Sequence, residues 1–219
     1  MSDFHPVLSP VEARVLGTLL EKQRTVPETY PLSMNALLAG CNQKTSRQPV
    51  MELIEPDVLQ ALNRLRELGL VSSESGGRVT RYAHHLEKTL GVPGQAAALL
   101  TVLMLRGPLT AGELRLNSER LHRFADISSV EAFLEELASR PDDPLVVELP
   151  RLPGARENRW MHCLSGAPEF EAAPPGRPVR ASSNQEVEAL GERVTVLESE
   201  VASLKALLAE LRSASRADN

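Results

Sequence analysis

"GLVSSESGGRVTRYAHH", residues 69–85, decides how this chain is read. Two short strand-like runs flank Ser75-Gly76-Gly77, and glycine accepts the positive φ that a tight hairpin turn requires. Everything before the hairpin has helical period. In "LSPVEARVLGTLLEKQ", residues 8–23, Ser9 is an N-cap, Pro10 takes the first helical position and Glu12 completes a capping box. Val11, Val15, Leu16 and Leu19 then share one face, and "TVPETYP" ends the helix. A short second helix is capped by Ser33, turns Leu37 and Leu38 inward and stops at Gly40. The third runs through "EPDVLQALNRLRELGLV", burying Val58, Leu59, Leu62 and Leu65 and ending at Gly69. Three helices closed by a β-hairpin are the winged helix-turn-helix arrangement.

The same order of elements returns after "LGVPGQ". Residues 95–106 are a helical apolar run, Thr110 with Glu113 caps a second helix, and Ser128 with Glu131 caps a third that buries Val130, Phe133, Leu134 and Leu137. "PLVVELP" then alternates Leu145, Val147 and Leu149, "RLPGAREN" turns the chain and "RWMHCL" returns. The expected fold is mainly α with small β-hairpins, in two tandem winged helix-turn-helix domains, residues 1–90 and 91–165. A linker rich in Pro, Gly, Ala and Ser follows over 166–184.

Over residues 185–214 the pattern becomes a coiled-coil helix. Val187, Leu190, Val194, Leu197, Val201, Leu204, Leu208 and Leu211 alternate steps of three and four. Valine at a with leucine at d favours two parallel strands, and Arg193 and Glu200 would face Glu198 and Lys205 of a second copy, so a homodimer is expected. The other arrangement for this helix is packing on its own chain, and Gly191 within it weakens a free-standing rod.

Bulk composition narrows the function. The 219 residues are 42% hydrophobic and 24% charged, an ordinary globular balance, while aromatics at 3% leave the cores to Leu, Val and Ala. No signal peptide and no apolar run of transmembrane length is visible, so a cytoplasmic protein with no membrane partner is expected. Cys41 and Cys163 cannot form a disulfide framework or a four-ligand zinc site by themselves. The formal charge of −5 argues against a strongly basic nucleic-acid binder, but residues 1–90 are balanced, with ten Lys and Arg against ten Asp and Glu. The acidity lies further along the chain.

A winged helix binds DNA with its third helix in the major groove and its hairpin beside the backbone. The outward face of the first such helix shows Gln60, Asn63 and Arg64, types that read base edges or meet phosphate, with Glu67 beside them. Arg78 and Arg81 lie on the wing and His84-His85 follow it, while Lys44 and Arg47 sit in the polar stretch "GCNQKTSRQPVMEL", residues 40–53. These form one candidate phosphate-facing surface. An ordinary solvated helix face has the same composition, and Asp57, Glu67 and Glu74 oppose phosphate. In the second half Arg115, Arg120, His122 and Arg123 cluster, and their expected role is structural: they pair with the acidic residues Glu131, Glu135 and Glu136 or dock the other domain. Arg151, Arg156 and Arg159 on the second wing are further candidates for phosphate.

Enzyme readings find little. There is no glycine-rich phosphate loop, HExxH or GxSxG, and the five histidines lack metal-ligand spacing, so neither catalytic residues, nor a metal, nor a cofactor is expected. The long polar stretch between the second and third helices has two readings. It presents Lys44 and Arg47 to a partner, or it holds the two halves of the chain in one orientation; Asn42, Gln43, Thr45, Ser46 and Gln48 can satisfy its backbone either way.

"LSPVEARVLGTLLEKQ", "YPLSMNALLAGCNQKTSRQPVMEL", "LNRLRELGLV" and "GELRLNSERLHRF" together resemble the YceH family of bacterial proteins of unknown function, over residues 7 to about 165. The resemblance implies a pair of winged-helix domains in the cytoplasm and no established substrate or catalytic residue. Two functions then stand. One is a dimeric DNA-binding regulator whose first-domain helices enter successive major grooves, about 34 Å apart. The other is a scaffold for protein partners without direct DNA contact, by analogy of fold with tandem winged-helix subunits of chromosome-organising complexes.

Overall fold

The computed structural model of the chain describes residues 7–75, 79–141, 143–151 and 154–166. Arg78, almost all of the expected linker and the heptad residues Val187 to Leu211 therefore lie outside the described residues. What is described is a mixed fold of seven helices with two small antiparallel sheets, all within one compact unit.

Helix α1, Pro10–Thr25, starts as its sequence dictates. The Ser9 hydroxyl accepts from Glu12 N–H at 3.2 Å and the Glu12 carboxylate accepts from Ser9 N–H at 2.8 Å. Its burial is not one-sided, because every residue from Ala13 to Leu20 is buried. A helix buried all round must be a central one, and α1 packs on α2 (Met34–Cys41), α3 (Glu55–Glu67) and, most extensively, α5 (Gly94–Arg106). Helix α5 is likewise buried throughout Ala96–Leu105. The two approach closely at Gly17, where an added Cβ would lie 3.1 Å from the Leu105 side chain. Val15, Leu16, Leu19, Leu99, Leu100 and Leu103 are wholly buried, each such side chain stabilising the fold by about 1.5–3 kcal/mol.

Around this pair the elements occur twice in one order. In the first half β1 (Leu32–Ser33) and α2 precede α3 and the antiparallel pair β2 (Val71–Glu74) and β3 (Arg81–His84). After α4 (Leu86–Leu90) and α5, the second half has α6 (Ala111–Asn117), α7 (Ile127–Ala138) and the pair β4 (Val146–Leu149) and β5 (Arg159–His162). Leu32, just before the Ser33 cap of α2, pairs with Tyr82 of β3; Leu109, just before the Thr110 cap of α6, bridges Trp160 of β5. The residues that do this repeat in the sequence, as Pro31-Leu32-Ser33 against Pro108-Leu109-Thr110 and Arg81-Tyr82-Ala83-His84 against Arg159-Trp160-Met161-His162. Each half thus staples the entry of its second helix to the return strand of its hairpin.

Several local expectations are corrected. Helix α7 is capped by Asp126, whose carboxylate accepts from Ser129 N–H at 2.8 Å, rather than by Ser128, because the aspartate lies one residue before the first helical turn. Leu59 is 43% exposed, and Ala61 takes the inward place expected for it. Gly40 does not stop α2, which runs on to Cys41; it lets α2 lie against α1, since a Cβ there would meet Thr18 Cγ2 at 2.7 Å. In β4 the inward residue is Val146, while Val147 and Leu149 are half-buried.

Residues 42–54 between α2 and α3 are tied down over most of their length. Asn42 exchanges two hydrogen bonds of 2.8 Å with the backbone of Leu53, clamping the ends of the loop together. Arg14, on the buried face of α1, donates to the carbonyls of Cys41 at 3.0 Å and Pro49 at 2.6 Å. Gln48 N–H donates to the Leu105 carbonyl at 2.8 Å and Arg106 donates to Ser46 Oγ at 2.7 Å. The loop therefore fastens α1 to the end of α5. Among the described residues no helix is long and apolar enough to cross a membrane.

Candidate nucleic-acid interface

Helix α3 is set by its inner face. Val58, Leu62 and Leu65 are wholly buried against the core, which forces Gln60, Asn63 and Arg64 outward, all three exposed. Its first turn is closed by Asp57, whose carboxylate accepts from Ile54 N–H at 3.0 Å, which fixes this negative charge at the helix start. Arg64 donates to Glu67 across one turn at 3.0 Å, with both side chains more than half exposed. Such an exposed pair holds its partners by only about 0.3–0.5 kcal/mol and yields easily to a phosphate.

An open groove runs between α3 and β2, lined by Asn63, Arg66, Glu67, Val71, Ser72 and Ser73. Arg66 is exposed, and its side chain makes no hydrogen bond or ion pair among the described residues. It was absent from the sequence-based set, although its place three residues after Asn63 put it on the same side of the helix. Ser72 Oγ and His85 Nε2 lie 2.8 Å apart beside this groove, with His85 exposed.

The other candidates scatter. Arg81 is exposed, but its guanidinium donates to the carbonyls of Pro31 at 2.7 Å and Thr29 at 3.4 Å, holding the segment that leads into β1. Arg47 is a correction. Its side chain is 0% exposed, donates to both carboxylate oxygens of Glu21 and to the Gly40 carbonyl, and is a strut inside the loop rather than a group offered to phosphate. Burial alone would raise the Glu21 carboxyl, but the hydrogen bonds and charges of Arg47 and Lys22 outweigh it and hold the group below its ordinary value. Lys44 is exposed, and its neighbours Gln43, Thr45 and Ser46 line a cavity with α1, α5 and α6 instead of the α3 groove.

In the second half the arginines do not pair with the acidic residues of α7. Arg115 donates to the Ala125 carbonyl at 3.1 Å, Arg120 is exposed without a partner among the described residues, and His122 packs edge-on against Phe124 with ring centroids 4.7 Å apart. Arg151, just after β4, donates to Asn158 Oδ1 at 3.3 Å, and that asparagine donates on to Glu148.

The two strand-end histidines match. His84 and His162, the last residues of β3 and β5, are buried, and burial lowers each to about 4. His84 Nε2 lies 2.7 Å from Gln23 Oε1, while Nδ1 accepts from Leu86 N–H at 3.3 Å, an arrangement that fits only the neutral ring protonated at Nε2. His162 Nδ1 is buried without a hydrogen-bond partner. Among the described residues no cluster of His, Cys, Asp and Glu could hold a metal ion.

Comparison with known proteins supplies the affiliation. A protein from Dechloromonas aromatica (strain RCB), named UPF0502 protein, is 66% identical over 210 residues, covering 96% of this chain and 98% of its own. Others bearing that name, from Burkholderia multivorans and Acidovorax sp. (strain JS42), are 59% and 58% identical and cover 88% and 92% of their own lengths against 94% of this chain in both cases. Residues 8–155 match the family model described as "Protein of unknown function, DUF480", and the chain belongs to that family of uncharacterised bacterial proteins.

Proposed function

We propose that the chain is a DNA-binding, transcription-regulatory protein of the cytoplasm that acts as a dimer. Residues 1–90 and 91–165 serve as tandem winged-helix domains, with α3 of the first lying in the major groove and the β2–β3 hairpin beside the sugar-phosphate backbone. The observation that carries this reading is the outer face of α3. Gln60, Asn63, Arg64 and Arg66 are exposed on one short helix, and beside it the groove to β2 is open. Amide side chains suit adenine edges and arginines suit guanine or phosphate. The heptad residues Val187 to Leu211 pair two such chains, which places two α3 helices on one duplex.

A salt titration of full-length protein on duplex fragments tests it. Affinity falls steeply as salt rises, and the Gln60→Ala, Asn63→Ala, Arg64→Ala triple variant loses most of the binding while keeping its unfolding midpoint. Absence of binding to mixed genomic fragments at low salt would end the DNA reading. Sedimentation of the full chain gives a dimer and of a chain ending at Asn184 a monomer; equal monomer masses remove the pairing.

One observation favours the scaffold reading. Val50, Ile54 and Leu59, around the start of α3, are 51%, 60% and 43% exposed, an apolar group better matched to a protein segment than to phosphate. In that case Leu59→Asp abolishes partner capture from lysate and the triple variant does not.

A further inference from the structure

We infer that the cavity enclosed by α1, the 42–54 loop, α5 and α6 is a binding site for the oxyanion of a small ligand, a phosphate monoester fitting its donor set best. The cavity has a volume of about 200 Å³. Three cations line it, Lys22 from α1, Arg106 from the end of α5 and Arg120 from the turn after α6. Its one lining acid among the described residues is Glu21, and that carboxylate is already occupied by the buried Arg47, at 2.6 and 3.0 Å, with Lys22 3.4 Å away. The wall is therefore positive after its internal pairing is counted. An arginine fork and a lysine point charge are the usual recognition groups for phosphate.

The polar groups between these cations are held ready. Lys22 Nζ donates to Gln43 Oε1 at 3.2 Å and pairs with Glu21 at 3.4 Å, and Arg106 spends one hydrogen on Ser46 Oγ at 2.7 Å, which leaves one N–H on the lysine and several on the arginine. Arg120 makes no hydrogen bond or ion pair among the described residues. Ser46, on the rim, has a φ of 61°, a left-handed conformation uncommon for a residue other than glycine. That backbone is kept by the Arg106 bond to its hydroxyl and by Gln48 N–H on the Leu105 carbonyl. Strain retained by surrounding bonds is the pattern found where a loop must present particular donors. Val102, Leu105 and Leu121 supply the apolar part of the lining, suited to a short carbon chain.

Size limits the ligand. A volume of about 200 Å³ falls below the roughly 300–1,000 Å³ of sites for larger molecules, so the occupant is a phosphate on a few carbons and not a nucleotide. Because the cavity walls come from both halves of the element repeat, an occupant binds the folded arrangement alone and stabilises it by mass action.

The test is calorimetric titration of the full chain with glycerol 3-phosphate and with inorganic phosphate, alongside thermal unfolding. Binding of one glycerol 3-phosphate per chain and a rise in the unfolding midpoint are expected. Arg120→Ala and Thr45→Glu, both at exposed positions on the rim, weaken it at least ten-fold without changing the ligand-free midpoint, whereas Lys88→Ala on the surface of α4 leaves it intact. Absence of heat and of any midpoint shift, or binding that survives both rim substitutions, overturns the site. Equal affinity for succinate overturns the assignment to phosphate. None of these outcomes depends on whether α3 binds DNA.

Discussion

The Arg47 guanidinium meets the Glu21 carboxylate in a two-pronged contact, Nη2 to Oε2 at 2.6 Å and Nη1 to Oε1 at 3.0 Å. The same guanidinium also donates to the Gly40 carbonyl at 2.9 and 3.2 Å and to Gln43 Oε1 at 2.9 Å. One side chain thus fastens the loop, the end of α2 and the second half of α1. A polar loop with the look of a binding element is here a clasp, and its exposed residues are the ones left over from that task.

Removing one partner of a buried pair leaves the other uncompensated, so Arg47→Ala is expected to destabilise the protein by about 3–5 kcal/mol. Arg47→Lys recovers only part of this, because an ammonium cannot span both carboxylate oxygens and the Gly40 carbonyl together. Urea unfolding at neutral pH measures both. A loss below about 1 kcal/mol for Arg47→Ala, the size of an exposed pair, would show the clasp to be solvent-screened.

Gly40 gives a second check, on packing alone. In an exposed helix Gly→Ala stabilises by about 1 kcal/mol, yet here the new methyl would sit 2.7 Å from Thr18 Cγ2. Overpacking of this kind costs about 1–3 kcal/mol, so Gly40→Ala is expected to lower stability despite the better propensity. Thr18→Ser removes the offending methyl and keeps the hydroxyl that Cys41 Sγ contacts at 3.6 Å. The double variant should therefore be more stable than Gly40→Ala alone, a coupling that a thermal double-mutant cycle reads directly.

The sequence made some of this visible and hid the rest for identifiable reasons. Caps at Ser9, Ser33 and Thr110 are local, and each forms as expected because its signal and its partner lie within three residues. At α7 two overlapping patterns compete, Asp126 with Ser129 and Ser128 with Glu131, and the earlier one wins. The burial of Arg14 and Arg47 was not legible, since the carbonyls that accept from Arg14 are 27 and 35 positions away and the acid that neutralises Arg47 is 26 positions away in the chain. The all-round burial of α1 and α5 depends on each other and on both halves of the chain, which a one-sided helical period does not reveal. The staple between second helix and return strand leaves a trace in the repeated Pro-Leu-Ser/Thr and Arg-aromatic-x-His patterns, but the two patterns lie about 50 residues apart and acquire meaning only once the strands are seen to pair. On α3, the exposed amides and Arg64 were legible from period alone, whereas Arg66 became a candidate only once β2 closed the groove beside it.

Acid should unfold this protein early, and the sign follows from the two buried histidines. His84 and His162 sit at about 4 in the folded chain against 6.5 when unfolded, so between those values the unfolded chain binds protons that the folded chain refuses. Stability is complete above pH 6.5 and declines as pH falls towards 4, by on the order of 3 kcal/mol per histidine. Glu21 acts in a lower window: its folded value is depressed, so its contribution is present above the unfolded carboxylate range and lost as pH falls through the folded value. His162→Leu replaces a ring whose Nδ1 has no partner and is expected to flatten the decline between pH 6.5 and 4 by one proton while leaving stability at pH 7.5 nearly unchanged. Urea unfolding at a series of pH values checks this; an unaltered slope in the variant would assign the acid sensitivity elsewhere.

The α3 groove makes the sharpest functional prediction because its two best-placed residues differ in chemistry. Arg66 is a cation at the groove wall with no side-chain partner among the described residues, and Asn63 is an uncharged amide that lines the same groove. If a duplex lies there, Arg66→Ala weakens binding to every sequence alike and reduces the slope of log affinity against log salt by about 1, as loss of one phosphate contact requires. Asn63→Ala instead costs about 1–3 kcal/mol on the preferred sequence, leaves the salt slope unchanged and relaxes discrimination at one base pair. Fluorescence anisotropy on a selected and a scrambled duplex, across a range of salt, separates the two effects. Equal losses from both substitutions on both duplexes, with no change of slope, would mean that the groove meets a protein surface, where a buried side chain matters for its packing and not for its counterions.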